Sequence, residues 1–127
     1  MAKFSETYDD NNVFAKILRG ELPCRKVYED DFTLAFEDIH PRAPIHTLVI
    51  PKGKYVSMSD FAATAGDAEI AAFIRAVGKV AKLKGVEDPG YRILANIGGH
   101  GMQEVPHLHI HLFGGKPLGP MLAVPHP

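Results

Sequence analysis

Three histidines, His107, His109 and His111, alternate with Leu108, Ile110 and Leu112 inside the run VPHLHIHLFGG at 105–115. Alternation at period two is the pattern of a strand with one polar and one buried face. On an undistorted strand the three imidazoles share a face, the outer two roughly 13 Å apart and the middle one about 6.6 Å from each. Imidazole changes charge near neutral pH, so such a row is an uncommon choice for plain solubility and reads as a site. Two chemistries want it. Histidines two apart on a strand converge on a metal ion, with His46 or Glu104 as a further ligand, although a third strand residue four positions along joins such a site with difficulty. Alternatively, one imidazole is the nucleophile of phosphoryl or nucleotidyl transfer while its neighbours handle phosphate oxygens and protons. Gly98, Gly99 and Gly101, just upstream, allow backbone amides to approach a phosphate and read equally well as a hairpin loop.

The rest of the chain must position that row. Asn11 or Asn12 caps a short helix, Val13 to Arg19, that ends at Gly20, with Phe14, Ile17 and Leu18 on one face. Leu22-Pro23 breaks it. Strands are expected at Arg25 to Glu29 and Phe32 to Glu37, joined by a tight turn at Asp30-Asp31, and at Ile45 to Pro51. Ser59-Asp60 starts a helical turn. A longer helix runs from Gly66 or Asp67 to Lys84, with Ile70, Phe73, Ile74, Val77 and Ala81 as its apolar stripe. Acidic Asp67 and Glu69 at its start, and Lys79, Lys82 and Lys84 near its end, complement the helix dipole. A fourth strand is expected at Tyr91 to Ile97, followed by a loop from Gly98 to Pro106 and then the histidine strand. The order predicts an α+β domain with a five-stranded antiparallel sheet, one short N-terminal helix and one long helix. Residues 1–10 read as a loose N-terminus and 116–127, with four prolines, as an extended tail.

Composition narrows the function classes. The 127 residues make one domain with one core, and a net charge of -1 gives no global argument for nucleic acid or an anionic membrane. The single cysteine, Cys24, excludes an internal disulfide, fits a reducing compartment, and reads as packing or surface. No apolar run approaches the roughly 20 residues of a membrane span, and Met1 to Asp10 lacks a signal-peptide core, so a cytoplasmic location is expected.

The run His-Leu-His-Ile-His-Leu-Phe resembles the motif of the histidine triad (HIT) family, and the resemblance extends over nearly the whole chain. Residues 13–23 (VFAKILRGELP) look like the family's opening helix, and 34–39 (LAFEDI) and 44–52 (PIHTLVIPK) like its nucleotide-side strands. The segment 114–122 (GGKPLGPML) looks like the bacterial Hint branch. The resemblance implies a HIT-like fold whose sheet extends across a homodimer. It implies a purine nucleoside phosphoramidase that cleaves the P–N bond of nucleoside 5′-phosphoramidates, AMP or GMP conjugates, with no cofactor and no metal. By residue matching, His109 attacks phosphorus, His111 contacts the phosphate, His46 supports the network and His107 orients the row. Asp38 matches the residue that holds the ribose hydroxyls. Phe14, Ile17, Leu22, Ile39 and Leu48 match the purine pocket, and Asn96 and Gln103 match polar positions near the phosphate. Glu104 departs from the serine many Hint proteins carry there, on the leaving-group side: a carboxylate repels an anionic phosphate and holds a cationic amine. His40 stands beside Asp38 where the branch often has serine and reads as a residue that touches the ribose or, the preferred reading, as a loop residue; His100 and His126 have no family match and read as exposed. Two other classes stay open: a non-catalytic nucleotide-binding or regulatory protein, and a metal-binding protein built on the His-x-His-x-His row.

Overall fold

A computed structural model describes residues 7–123 of the chain. The elements are α1 (Val13–Leu18), β1 (Lys26–Glu29), β2 (Thr33–Glu37), β3 (Ile45–Pro51), α2 (Met58–Thr64), α3 (Asp67–Leu83), β4 (Arg92–Leu94) and β5 (Ile110–Gly114). The strands form one sheet in the order β1-β2-β3-β5-β4 with every pair antiparallel, the predicted α+β class. His126 and the end of the predicted tail lie outside the described residues. Among the described residues no helix is long and apolar enough to cross a membrane.

Alternation along the strands sorts the side chains onto two faces. On one face Ala35, Val49, Ile110 and Leu112 meet Phe73, Ala76, Val77, Val80 and Ala81 of α3, with Phe61 of α2 beside them. On the other face Leu34, Phe36, Leu48 and Ile50 pack with Phe14 of α1, and His46, His111 and Phe113 belong to the same face by alternation. β2 and β3 are therefore buried on both sides, as their near-continuous apolar runs require.

Helix ends follow local chemistry. The Asn12 side chain accepts the Ala15 N–H at the start of α1, and Ser57 and Asp60 form a reciprocal capping box at α2. The α3 stripe is rotated from the predicted one. Ile74 is 59% exposed, and Ala76 and Val80 lie against the sheet instead.

Two strands are shorter than the sequence suggests. Ordered pairing of β4 ends at Leu94, opposite His111, instead of continuing to Ile97. β5 starts only at Ile110, so His107 and His109 precede it. Pro106 has no N–H to give a ladder, the His107 N–H turns back to the Val105 carbonyl, and the Leu108 N–H bonds Tyr55 outside the sheet. With 105–109 bent away, residues 95–97 lose their partner strand.

Candidate active site

A cleft of about 590 Å³ opens on the α1 face of the sheet. Sheet register explains its floor: Phe36 pairs with Leu48, Leu48 with His111 and His111 with Leu94, a row of same-face residues crossing four strands. One register step away His46 stands opposite Phe113, their rings 4.2 Å apart. The six-residue α1 covers only part of this face and contributes Val13, Phe14 and Ile17 to the cleft wall.

The hydrogen bonds fix the state of each imidazole. A carbonyl only accepts, so the 2.7 Å contact from His109 Nδ1 to the His107 carbonyl places the His109 proton on Nδ1. In the neutral ring Nε2 then carries a bare lone pair, and His109 lines the cleft. His46 is the mirror case. Its Nδ1 accepts the Arg42 backbone N–H at 3.1 Å, so its proton sits on Nε2. That proton serves His111 Nδ1 at 2.9 Å, with an Asp38 oxygen 3.3 Å away. His111 is an acceptor at Nδ1 and keeps Nε2–H as a donor for the cleft. Two neighbouring rings, 4.9 Å apart, thus offer opposite functions: a nucleophile and a donor.

Burial keeps the rings neutral. It pushes the His109 pKa below the ordinary histidine value, against the opposing pull of the His107 carbonyl, Asp38 and Glu104. Burial, aided by the field of His109 and His46, lowers His111 to about 4. Burial also lowers His107 to about 4 and lowers His46 despite Asp38 beside it. A plain solvent-facing stripe would show none of this.

Most of the residues matched by resemblance converge here. His46, His109, His111, Asp38, Phe14, Ile17, Ile39, Leu48, Asn96 and Glu104 all line the cleft, Ile39 on its rim at 81% exposure. Three do not. His107 is fully buried behind His109, with Nε2 donating to the Pro51 carbonyl. Gln103 is buried and spends its amide on the loop: Nε2 donates to the Val56 and Val105 carbonyls and Oε1 accepts the Gly98 N–H. Leu22 lies half out of the surface away from the cleft. Gly98, Gly99 and Gly101 do not line the cleft either; a Cβ at Gly101 would strike the Ile97 backbone 2.2 Å away, so this glycine closes the loop on itself.

Sequence reasoning passed over Phe36, Arg42, Met102 and Phe113, and preferred a loop role for His40; all line the cleft. For Phe113 the signal was present, since the alternate positions 107, 109 and 111 continue to it. Arg42 acts through its backbone N–H, which no residue pattern advertises. Cys24, read as packing or surface, is half-buried on the wall, and burial raises its thiol pKa, so it stays protonated.

Asp38, His46 and His111 could also hold a metal ion, their donor atoms lying within 4.8 Å of one another. The tautomers oppose it. A metal on His46 Nε2 would displace the proton to Nδ1, where the Arg42 N–H already points.

Comparison with known proteins identifies the family. The family model for the HIT domain matches residues 19–118. An uncharacterised 13.2 kDa HIT-like protein of Azospirillum brasilense is 63% identical over 118 residues, covering 93% of this chain and 97% of its own. The purine nucleoside phosphoramidase of Escherichia coli K12 is 44% identical over 114 residues, covering 90% of this chain and 95% of its own. A solved HIT family hydrolase from Clostridium thermocellum superposes with a TM-score of 0.82 at 38% identity, covering 91% of this chain and 99% of that one.

Proposed function

This chain belongs to the HIT family, and from that premise we propose that it is a purine nucleoside phosphoramidase working through a nucleotidyl-histidine intermediate. One observation carries the mechanism: the His107 carbonyl holds the Nδ1 proton of His109, leaving Nε2 bare at the cleft. The Nε2 lone pair attacks phosphorus, the Nε2–P bond forms and the P–N bond breaks. The departing nitrogen takes a proton from water in the open cleft and leaves as the amine, while the His111 Nε2–H donates a hydrogen bond to a phosphoryl oxygen and keeps its proton. The hydroxide so formed attacks the nucleotidyl-histidine, the N–P bond breaks, and His109 is neutral again with the monophosphate free.

Asp38 serves the ribose as a two-oxygen acceptor for a vicinal diol, its Oδ1 already oriented by the His40 N–H. Phe14, Ile17, Leu48 and Ile39 supply the apolar wall for the purine. Gln103, matched to the phosphate, reaches it through the loop it ties down, and His107 acts through its carbonyl. In this proposal the protein is a cytoplasmic homodimer with the sheet continued from one protomer to its partner.

The test is single-turnover mixing with adenosine 5′-phosphoramidate in the presence of chelator, following AMP release and adenylylated protein by intact mass. AMP and an adduct, both lost in His109→Ala, are expected. Tight AMP binding without turnover in the parent would replace the enzyme with a non-catalytic nucleotide-binding protein. Turnover abolished by chelator would point to a metal protein instead.

A further inference from the structure

The segment before α1 reaches the centre of the site. Tyr8 hydrogen-bonds His107 Nδ1, and its ring meets the imidazole edge-on at 5.5 Å. The direction of that bond is fixed. His107 Nε2 donates to the Pro51 carbonyl at 2.8 Å, so Nδ1 has only a lone pair, and the Tyr8 hydroxyl is the donor. His107 is thus gripped at both ring nitrogens while its own carbonyl receives the His109 Nδ1 proton.

This grip matters because of where residue 107 sits. The stretch 105–109 has left the sheet, so no ladder holds the carbonyl that orients His109. The His107 N–H bonds the Val105 carbonyl and the next N–H, of Leu108, bonds the Tyr55 carbonyl, while the His107 side chain is held by Tyr8 and Pro51. Tyr8 in turn is placed by a stitched turn. The Asp9 carbonyl takes both N–H groups of Asn12, Asp10 pairs with Lys54 at 2.9 Å, and Arg19 donates to the Asp10 carbonyl at 2.8 Å. Tyr8, Asp9 and Asp10, expected to be loose, are tied into the fold.

We propose that Tyr8 is a positioning residue for His109: its hydroxyl locks the tautomer and rotamer of His107, and the locked residue presents the carbonyl that keeps His109 Nε2 bare and aimed into the cleft. The proposal rests on the phosphoramidase reading for its kinetic consequence and on geometry alone for its spectroscopic one. Removing the hydroxyl leaves a buried lone pair on His107 without a donor, and the ring relaxes to find one.

The experiment compares the parent with Tyr8→Phe, which keeps the ring, and Tyr8→Ala, which does not. Turnover of adenosine 5′-phosphoramidate and long-range 1H–15N spectra of the histidine rings are measured on the same samples. In Tyr8→Phe, kcat is expected to fall roughly tenfold, the weight of one hydrogen bond, with KM within about twofold of the parent. The His107 Nδ1 resonance moves, and the His109 Nδ1 proton broadens or shifts. Tyr8→Ala loses at least as much. An unchanged kcat in Tyr8→Phe, or a fall shared equally by a raised KM with both rings unmoved, overturns the proposal. Should the parent itself show no turnover, the phosphoramidase reading fails and the spectra decide alone: a moved His109 signal supports the coupling and a still one overturns it.

Discussion

The two faces of one sheet put neighbouring residues of the same strands to opposite uses. Toward α3, Ala35, Val49, Ile110 and Leu112 are at most 6% exposed and meet a helix of 17 residues. Toward α1, His46, Leu48, His111 and Phe113 lie on a face that a helix of six residues covers only in part, leaving a cleft of about 590 Å³. The long helix seals its face; the short one cannot. What differs is the length of the cover and the polarity of every second residue, so stability is concentrated on one side of a backbone one residue thick and chemistry on the other.

Breaking the chemical face has the largest expected effect. His109→Ala removes the proposed nucleophile, and turnover of the phosphoramidate should fall by at least about a thousandfold, because water then lacks the covalent route. The adenylylated species should vanish from intact-mass spectra. The melting temperature should fall less than for a core truncation, since the buried ring borders the cleft on one side. A large drop in melting temperature with residual turnover would show that the two faces are not separable in this way.

The converse substitution is Leu112→Ala, one residue beyond His111 and pointing to the other side. Leu112 is fully buried, and truncation leaves a cavity beneath α3 worth about 2–5 kcal/mol. Urea unfolding should report that loss, while kcat per folded molecule stays within about twofold of the parent. A matching loss of kcat would mean that packing under α3 sets the register of β5 and hence the aim of His111.

Legibility in the sequence also divides along these faces. Where covering is complete, period and propensity sufficed: the strands at Ile45–Pro51 and Thr33–Glu37 and the body of the long helix are where the pattern puts them. The miss there, Ile74, arose because a five-residue stripe on a 17-residue helix admits two rotations, and only packing against the sheet selects Ala76 and Val80. On the cleft face the residue types announced a site, yet their arrangement was hidden. A straight strand would space His107 from His109 like His109 from His111. Instead, Pro106 and the Leu108 bond to Tyr55 bend the chain, burying His107 and turning its carbonyl to His109. That bend rests on a hydrogen bond between residues 53 positions apart, beyond any local pattern.

Burial of neutral imidazoles makes the cleft face sensitive to acid in a way the α3 face is not. His107 and His111 are held to about 4, against an ordinary value near 6.5, so the unfolded chain binds their protons more readily than the folded one. Stability is therefore full above about pH 6.5 and falls as pH drops toward 4, by on the order of 2 kcal/mol for each ring. Urea midpoints measured from pH 7.5 to 4.5 should show this decline, and His111→Asn should flatten it by about half. A midpoint independent of pH across that range would mean the rings are hydrated and free to charge.

The smallest effect expected is also the most specific. Glu104 is exposed on the cleft wall, and its charge is among those that favour the protonated form of His109. Glu104→Gln removes that field without shortening the side chain, so the acid limb of the kcat/KM profile should shift to slightly lower pH. On the proposed function, the same carboxylate would be a counter-charge for a leaving amine that carries a second, cationic group. Exposed charge pairs are worth at most about 1 kcal/mol, so the substitution should lower kcat/KM by roughly two- to fivefold for a lysine-like leaving group. For an uncharged amine it should leave kcat/KM unchanged or raise it, because the repulsion of the phosphate is relieved as well. Raising the ionic strength should shrink the difference between the two substrates in the parent and have no effect on it in Glu104→Gln. Equal losses for both amines would assign Glu104 to the fold of the 98–106 loop, leaving leaving-group choice to other residues of the cleft.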